Sequence, residues 1–381
     1  MVNEGLAKWF GLKRPNFILN PKDDAEFYAR RTRVEIPSLV ESLQTDLVTE
    51  LPPKRLFWGP YGGGKTHTLF KLSVQLGEII PIHPTYVECP NLSKKATFLH
   101  LYHGIMTSMG QEFVVRLFEE LLEDIHLVKR EELLRELEKT LSNEELSRAV
   151  ASLIGADSSK KLTFWRYISG VTVSRGDLEG LGQTQGLTEA QPAKLAQLVI
   201  ILGKVLKKVK NQTLVFVLDE LDRLVWVSEE TGSTFEDAFR KLVDPNQRDV
   251  AILMGVSVER IDRLPDVFGG EHGPVLSRIG TNNLIEIPEI DPNDADTFIK
   301  EVINYVRDPS VDISQRIKKI EPELSEKLKL DFFPFTEEAI EALKGTLRNI
   351  MTPREIEQRM TQAAGKSYLM KKPVITREMI G

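Results

Sequence analysis

The segment Gly59-Pro-Tyr-Gly-Gly-Gly-Lys-Thr66 matches the pattern G-x-x-x-x-G-K-[S/T] and constrains the fold more than any other feature of the chain. Its glycines allow backbone amides to turn inward around a phosphate, Lys65 can reach the β- and γ-phosphates, and the Thr66 hydroxyl can bind Mg²⁺. An apolar run precedes the segment and leucines at helical spacing follow it, which indicates a phosphate-binding loop rather than a chance glycine-rich turn. We assign nucleotide contacts to nine consecutive residues: Gly59, Pro60, Tyr61, Gly62, Gly63, Gly64, Lys65, Thr66 and His67.

Short apolar segments predict a parallel α/β sheet around this loop. The five segments are residues 55–59, 83–88, 213–218, 250–256 and 283–287. The third segment ends at Asp219-Glu220, and α/β sheets bind ligands at the carboxyl ends of their strands. We therefore expect Asp219 to hold Mg²⁺, directly or through water, and Glu220 to orient and polarise the attacking water. The alternative is an acidic helix start, and we interpret Asp222 as structural.

Three further residues are candidates for chemistry. Ser257 ends the fourth apolar segment, where the alternative role is a simple cap. Arg278 precedes the fifth segment and could stabilise transition-state charge on the nucleotide of a neighbouring subunit, or form only a surface salt bridge. Arg354 begins a helix and could contact the γ-phosphate, which would couple nucleotide state to domain angle. An arginine is mildly unfavourable at a helix start, and this conflict favours the functional interpretation.

Composition excludes several classes of protein. The 381 residues are 41% hydrophobic and 28% charged, so wholesale disorder, a collagen-like fibre and a disulfide-stapled mini-protein are excluded. The net charge of −6 is not that of a stand-alone nucleic-acid binder, although a local basic patch could still bind one. Because Cys89 is the single cysteine and we find neither a signal peptide nor a membrane span, we expect a cytoplasmic protein. We expect no metal besides Mg²⁺.

The order of these elements resembles that of AAA+ ATPases. Members of that family carry the same five features in the same order along the chain. These are a phosphate loop, a strand ending in Asp-Glu, a strand with a polar end, an arginine before the last strand and an arginine on a helical lid. The resemblance implies an α/β fold, an AAA+ P-loop NTPase with a five-stranded parallel sheet, a helical insertion and a C-terminal all-α lid domain. It also implies ATP and Mg²⁺ as cofactors, and for Ser257 a contact with the γ-phosphate or the water.

Within the family, three segments resemble the branch of origin-recognition initiators, the transposition regulator TnsC and the secretion ATPase ExeA. These segments are Phe10-Gly-Leu-Lys-Arg-Pro-Asn-Phe17, Thr85-Tyr-Val-Glu-Cys-Pro90 and the stretch 255–264. In the last, Val258 occupies the position of the family's sensor asparagine, which leaves Ser257 for that role. The segment Phe164-Trp-Arg-Tyr-Ile-Ser-Gly170 weakly resembles ATPases of bacterial phage defence. The chain ends soon after the lid, so we expect no winged-helix domain.

The resemblance to AAA+ ATPases also predicts the domain organisation. We predict an N-terminal segment packing on the nucleotide site (1–50), an ATPase core (51–290) with a helical insertion at about 110–208, and a helical lid domain (291–381). Residues 97–155 and 191–208 are expected to be helical and residues 156–190 irregular. The leucines of the first helical stretch form either a partner-binding surface or the core stripe of the insertion, and the core is favoured. In the lid, Thr336 is expected to cap a helix and Pro353 to begin one.

The resemblance implies a DNA-associated ATPase switch. ATP would bridge neighbouring subunits in a ring or filament, and we expect a hexamer or heptamer. This assembly would hold double-stranded DNA and recruit a separate effector protein. The alternative is a protein-facing signalling or defence ATPase that controls its effector without binding DNA. Four basic stretches are candidates for DNA contact: Lys94-Lys95, Lys160-Lys161, Lys204 to Lys210, and Lys371-Lys372.

Overall fold

The computed structural model describes residues 2–27, 35–126, 129–187, 192–227, 229–268, 273–347 and 351–381. Parts of the expected N-terminal segment (28–34) and insertion (127–128 and 188–191) lie outside the described residues. The chain divides into two compact units. The first unit contains residues 1–39, 59–74 and 286–381, and the second contains residues 40–58 and 75–285. The boundaries predicted at residues 50 and 290 stay predictions.

Five strands form one sheet in the order β2-β3-β4-β1-β5. The strands are β1 (Lys54–Gly59), β2 (Ile82–Glu88), β3 (Thr213–Asp219), β4 (Val250–Ser257) and β5 (Leu284–Glu286). Strand β3 pairs in parallel with both β2 and β4, and its residues from Leu214 to Asp219 are buried. Burial on both faces explains why this strand is a continuous apolar run rather than an alternating one. The prediction of an α/β fold with a five-stranded parallel sheet is confirmed.

Helices precede, connect and follow these strands. In chain order within the described residues they are α1 (Val2–Phe10), α2 (Ile36–Val48), α3 (Lys65–Ile79), α4 (Phe98–Met109), α5 (Gln111–Ile125), α6 (Arg130–Leu141), α7 (Glu144–Ala151), α8 (Ser158–Ile168), α9 (Arg175–Gly180), α10 (Pro192–Lys210), α11 (Glu229–Leu242), α12 (Pro274–Ile279), α13 (Ala295–Val306), α14 (Ile313–Ile317), α15 (Pro322–Ser325), α16 (Glu337–Thr346) and α17 (Pro353–Leu369). A short 3₁₀ helix, Leu221–Trp226, follows β3. None of the helices in the described ranges is long and apolar enough to span a membrane.

The second unit is built around one apolar core that joins the sheet to helices α4 to α12. Leu117, Leu121, Leu133, Leu137 and Leu141 are all buried in that core, so the leucine stripe packs inside the protein instead of forming a partner surface. The expectation of an irregular stretch at 156–190 is wrong, because α8 and α9 lie there. Side-chain caps from Asp157 and Ser174 begin these two helices, and such caps compensate for the stretch's polar composition.

Gly203 allows α10 to approach the start of β4 closely. A Cβ atom at this position would lie 2.4 Å from the carbonyl oxygen of Asp249 and 2.6 Å from a methyl carbon of Val250. Neither neighbour can yield easily, since one is backbone and the other is in a buried strand. Gly203 interrupts the apolar residues of α10, and its role is therefore to allow close packing of this helix on the sheet.

The first unit combines the lid helices, the N-terminal segment and the phosphate loop. Its main core joins Phe10 and Phe17 to side chains of α13, α16 and α17. Thr336 caps α16 by accepting a hydrogen bond from the amide of Ala339, and Thr352 caps α17 by accepting one from Glu355. Pro353 occupies the first position of α17, so both expectations for the lid helices are confirmed.

Candidate functional site: the phosphate loop and the acidic strand end

The phosphate loop connects the end of β1 to the first turn of α3. Strand β1 ends at Gly59 and α3 begins at Lys65, so the loop ends at the positive end of a 15-residue helix. Thr68 closes the first turn, with its amide donating to the Gly64 carbonyl at 2.9 Å and its hydroxyl donating to the same oxygen at 3.0 Å. The strand–loop–helix context that the motif requires is therefore present.

Lys65 lies inside this loop and is 5% exposed. Its ammonium group donates hydrogen bonds to the carbonyl oxygens of Gly59, at 3.0 Å, and Pro60, at 2.8 Å. The loop backbone thus holds the lysine charge within the turn, where phosphate oxygens are the natural competing acceptors. A charged donor held in this way is able to bind phosphate oxygens.

Two glycines show that the loop could not be built from other residues. A Cβ atom at Gly59 would lie 2.1 Å from the carbonyl oxygen of Ile287. At Gly62, whose φ is +76°, a Cβ atom would lie 3.1 Å from both the Cβ of Arg354 and the hydroxyl oxygen of Thr352. Because bare backbone is required at both positions, the residues of the loop fit a phosphate group approached by amides.

Arg354, at the start of α17, contacts the phosphate loop directly. Its guanidinium carbon lies 4.8 Å from the centroid of the Tyr61 ring, and the guanidinium also donates a hydrogen bond to the Tyr61 hydroxyl. The amide of Arg354 donates to the Gly62 carbonyl at 3.4 Å. The lid arginine chosen from the sequence therefore lies on the loop, and its contact with a γ-phosphate stays a prediction.

His67 and Lys71, on the first turns of α3, bind the N-terminal segment. The Nε2 of His67 donates to the carbonyl of Phe27 at 2.5 Å, and Lys71 donates to the carbonyl of Glu26. Burial lowers the pKa of His67, although its hydrogen bond to Phe27 opposes this effect. Phe27 in turn packs against Tyr305 of α13, with the ring centroids 4.8 Å apart. The side chain of His67 is thus committed to protein contacts, and its assignment to the nucleotide stays a prediction.

In the second unit, Asp219 lies at the end of β3 and is 2% exposed. Its Oδ1 accepts a hydrogen bond from the amide of Glu220 at 2.9 Å, and its Oδ2 accepts one from the Tyr86 hydroxyl at 3.1 Å. Tyr86 lies on β2, which pairs with β3 so that Glu88 is beside Asp219. The sequence did not identify Tyr86, because the pairing of β2 with β3 cannot be derived from one sequence.

Glu220 adopts the left-handed backbone conformation, with φ +57° and ψ +34°. This conformation is uncommon for glutamate, and strained residues of this kind cluster at functional sites. Its carboxylate forms an ion pair with Arg223, which also pairs with Glu88 at 2.9 Å and donates to the carbonyl of Cys89. Burial raises the pKa of Glu220, Arg223 lowers it, and the charge of Glu88 raises it. Arg223 was also missed, since an arginine in a polar stretch has no distinguishing sequence pattern.

Ser257 and Arg278 occupy the expected elements of the second unit. Ser257 ends β4, and its amide donates to the Oδ1 of Asp222 at 3.0 Å. That bond ties the end of β4 to the turn after β3 and agrees with the structural interpretation of Asp222. Arg278 lies on α12 and is half-buried, with its guanidinium donating to the carbonyl of Pro274 at 2.9 Å.

The described residues therefore group the candidates into two sets. Lys65, Thr66, His67 and Arg354 belong to the first unit, whereas Asp219, Glu220, Ser257 and Arg278 belong to the second. Hydroxyl and carboxylate oxygens such as those of Thr66 and Asp219 are the donors that Mg²⁺ prefers, and their role as its ligands stays a prediction. Within the described ranges, no cluster of three or more His, Cys, Asp or Glu residues could hold a metal ion on its own.

Comparison with known proteins gives structural neighbours only. No protein-family model matches the chain, and no curated protein matches it. The chain is similar to the ORC1 protein of Aeropyrum pernix solved in complex with DNA, with a TM-score of 0.46 and 13% identity, over 96% of this chain and 65% of the other. It is similar to Cdc6p of Pyrobaculum aerophilum, with a TM-score of 0.45 and 11% identity, over 93% and 68%. It is also similar to the Walker-type ATPase PABY2304 of Pyrococcus abyssi, with a TM-score of 0.41 and 15% identity, over 93% and 77%.

The chain spans slightly less than two thirds of the length of the Aeropyrum chain. At these identities the similarity concerns the fold, so activity and partners are argued below from the residues of this chain. The resemblance to phage-defence ATPases stays a prediction.

Proposed function

We propose that this protein is a Mg²⁺-dependent ATPase that assembles with ATP and acts as a DNA-associated molecular switch for a separate effector. The observation that carries the proposal is the phosphate loop, in which Lys65 is held by the carbonyls of Gly59 and Pro60 at the start of α3. A buried lysine at that position has no packing value, and its charge is costly unless an anion or fixed dipoles compensate for it.

Each candidate residue has a distinct role in this proposal. The ammonium of Lys65 exchanges its two carbonyl partners for phosphate oxygens, and the loop amides hold the β-phosphate. Thr66 and Asp219 are the ligands for Mg²⁺, which neutralises charge on the phosphates when bound. Glu220 orients the attacking water and accepts its proton, while Ser257 contacts the water or the γ-phosphate.

Self-association follows from the two arginines. Arg278 is proposed to stabilise the charge that develops on a neighbouring subunit's nucleotide, which requires a ring or an open filament of subunits. Arg354 is proposed to report the γ-phosphate to the lid, because α17 already meets the loop through Tyr61 and Gly62. Hydrolysis would then remodel or dismantle the assembly and release the effector.

DNA association rests on the resemblance of three segments to initiators, and the candidate lysines narrow where it could occur. On α10, Lys207 pairs with Glu50 at 3.1 Å, Lys208 with Asp124 at 3.7 Å and Lys210 with Glu120 at 2.7 Å. A lysine that already meets a carboxylate must exchange that partner for a DNA phosphate. The pairing removes α10 as the preferred DNA surface.

The second candidate function is the protein-facing signalling ATPase, and the paired lysines of α10 are the observation that favours it. Lys161 likewise pairs with Glu119 at 2.6 Å. Lys94 and Lys95 are both exposed, and this pair is the one to test against DNA.

The test of both functions is the rate of ATP hydrolysis with and without duplex DNA over a series of salt concentrations. The DNA switch predicts Mg²⁺-dependent turnover that DNA stimulates, with an apparent DNA affinity that falls steeply with salt. Replacing both Lys94 and Lys95 with Gln should reduce that salt slope, and the same change at Lys207 and Lys208 is the matched control. Turnover that DNA leaves unchanged would favour the protein-facing function. No turnover above that of Lys65→Ala would refute the ATPase proposal.

A further inference from the structure

The 3₁₀ helix after β3 presents two adjacent apolar side chains to solvent. Leu221 and Leu224 are buried, since residues three apart share one face of a 3₁₀ helix. Val225 and Trp226 lie outside that face and are 64% and 67% exposed. Exposed neighbouring apolar residues of this size mark interaction sites more often than single exposed ones do. We call Val225 and Trp226 the apolar knob.

Acidic side chains line a pocket beside Val225 of the apolar knob. Val225 lines an open pocket together with Glu236, Asp262 and Asp266, and Arg263 is the basic residue there. Arg263 also meets Glu259 at 3.8 Å. Asp262 pairs with Arg260 at 2.8 Å, but three of the four described charged side chains that line the pocket are acidic. The pocket beside the knob is therefore suited to a protein surface with basic residues rather than to a nucleic-acid backbone.

The first unit has an apolar pocket of the opposite charge. Trp9, Tyr368 and Leu369 line an open pocket of about 560 Å³, and the charged side chains among its described lining are Lys8 and Lys371. Leu369 is 78% exposed, and the next residue, Met370, is also exposed. We call this feature the lysine-rimmed pocket.

The lysine-rimmed pocket is already formed without a partner. The ring of Trp9 packs edge-on against Tyr368 with centroids 5.8 Å apart, and its indole N–H donates to the carbonyl of Lys372 at 2.9 Å. Arg316 donates to the carbonyl of Trp9 at 2.9 Å, which fixes the backbone there. Little ordering free energy is required to fill a pocket with walls held in this way.

We propose that the apolar knob of one subunit docks in the lysine-rimmed pocket of a second copy of this chain, with Lys8 and Lys371 facing the acids that line the pocket beside Val225. The proposal rests on the self-association in the proposed function and names its surfaces. The two surfaces match in shape and in charge. The exposed aromatic side chain of the knob fits the apolar walls of the pocket, and the carboxylates beside the knob attract the ammonium groups on the rim of the pocket. Since the two patches differ, the contact is heterologous and repeats from subunit to subunit, giving a closed ring or an open filament.

Trp226 is the expected anchor of this contact. Aromatic side chains that fill a central pocket dominate the binding free energy of interfaces. Trp226→Ala should therefore raise the dissociation constant of the assembly by about 30-fold. Val48→Ala is the matched control, because Val48 is 68% exposed in the same unit and lies outside the apolar knob.

Site-specific cross-linking tests the contact directly. The native Cys89 is buried, and burial raises the pKa of its thiol to about 12, so added cysteines react selectively. Val225→Cys, which keeps the anchor Trp226, and Leu369→Cys are prepared as separate full-length variants of distinguishable mass and treated with a short bismaleimide, alone and mixed. We expect a cross-linked dimer in the mixture and no dimer from either variant alone. The mixture of Val48→Cys with Leu369→Cys should give none.

Each outcome decides the proposal. A mixed dimer supports the proposal if its yield falls when the copy that supplies the pocket carries Lys371→Glu, and recovers when the copy that supplies the knob also carries Asp266→Lys. A dimer from Val225→Cys alone would mean an isologous contact and overturn it. No dimer in the mixture, although wild-type particles grow with a slowly hydrolysed ATP analogue, would overturn the surfaces while leaving the proposed function intact. Cross-linking is performed with and without the analogue. A mixed dimer from a protein whose wild type fails to bind ATP would refute the proposed function alone.

Discussion

The guanidinium of Arg354 lies over the ring of Tyr61, 4.8 Å from its centroid, so the first turn of α17 touches the phosphate loop. The contact is reinforced by the hydrogen bond from the Arg354 amide to the carbonyl of Gly62. A helix that meets the loop through both side chain and backbone responds to any ligand that reshapes the loop. This relationship is the basis of the proposed role of Arg354 in sensing the nucleotide.

Arg354→Ala should weaken ATP binding more than ADP binding, because an arginine that leaves Tyr61 for the γ-phosphate has no such target on ADP. Tyr61→Ala should change both affinities together, by about 2- to 5-fold, the value of a cation–π contact of about 0.5–1 kcal/mol at an exposed site. Titrations with fluorescent ATP and ADP measure both effects. Equal losses of ATP and ADP affinity in Arg354→Ala would contradict a γ-phosphate role.

Gly59→Ala should disrupt the phosphate loop, since its Cβ would lie 2.1 Å from the carbonyl oxygen of Ile287. We expect ATP binding to be lost and the midpoint of thermal unfolding to fall. Gly365→Ala is the matched control, because Gly365 lies within α17 with no described atom within 4 Å of its Cβ position. That substitution should stabilise the protein by about 0.5–1 kcal/mol. A Gly59→Ala protein with normal ATP affinity would be incompatible with the loop geometry.

Arg223→Ala should move the acid limb of the pH–rate profile to higher pH. Burial raises the pKa of Glu220 and the guanidinium of Arg223 opposes that effect, so removing the guanidinium raises the pKa further. A base must be deprotonated to act, and the variant therefore needs a higher pH to reach half of its maximal rate. Measured rates of ATP hydrolysis between pH 5 and 9, about two units either side of neutrality, test this. An unmoved acid limb would show that Glu220 is not the titrating base.

Glu357 makes the stability of the protein depend on pH. It is 6% exposed on α17, accepts a hydrogen bond from the amide of Leu19 at 3.1 Å, and has a pKa raised by burial from 4.5 to about 8. Between these two values the folded state holds a proton that the unfolded state has released, so the free energy of unfolding falls as pH rises.

Glu357→Gln should remove that dependence, because an amide keeps the acceptor for Leu19 and never ionises. The variant should gain stability over the wild type as pH rises from about 5 to 8, with a limiting slope of about 1.4 kcal/mol per pH unit. Denaturant titrations at several pH values measure the difference. A constant difference across that range would mean that Glu357 is ionised in the folded protein.

The sequence was sufficient where a local pattern determines local structure. The apolar run 213–218 becomes the buried strand β3, and Thr336 and Thr352 cap the helices that follow them. The phosphate loop could be located because its glycines and Lys65 must be contiguous. These features depend on neighbours in the chain, which is the information a single sequence holds.

Features that depend on distant segments were not accessible from the sequence. The hydrogen bond from Tyr86 to Asp219 requires knowing that β2 pairs with β3 in a particular register. The partners of the α10 lysines are Glu120 and Asp124 on α5 and Glu50 after α2, which are distant in sequence, so their pairing could not be distinguished from a basic stripe. Helices α8 and α9 were missed because their caps compensate for a polar composition that resembles a loop.

The most direct test of the account is the particle mass of the full chain in solution. Mass photometry should be performed without nucleotide, with a slowly hydrolysed ATP analogue, and with the analogue plus duplex DNA, using Lys65→Ala as the control. We predict that the particle mass increases from that of a monomer to that of a multimer when nucleotide is added. DNA should enhance this increase, and Lys65→Ala should abolish it. A monomer under every condition would contradict the account, because Arg278 would then have no neighbouring nucleotide to act on.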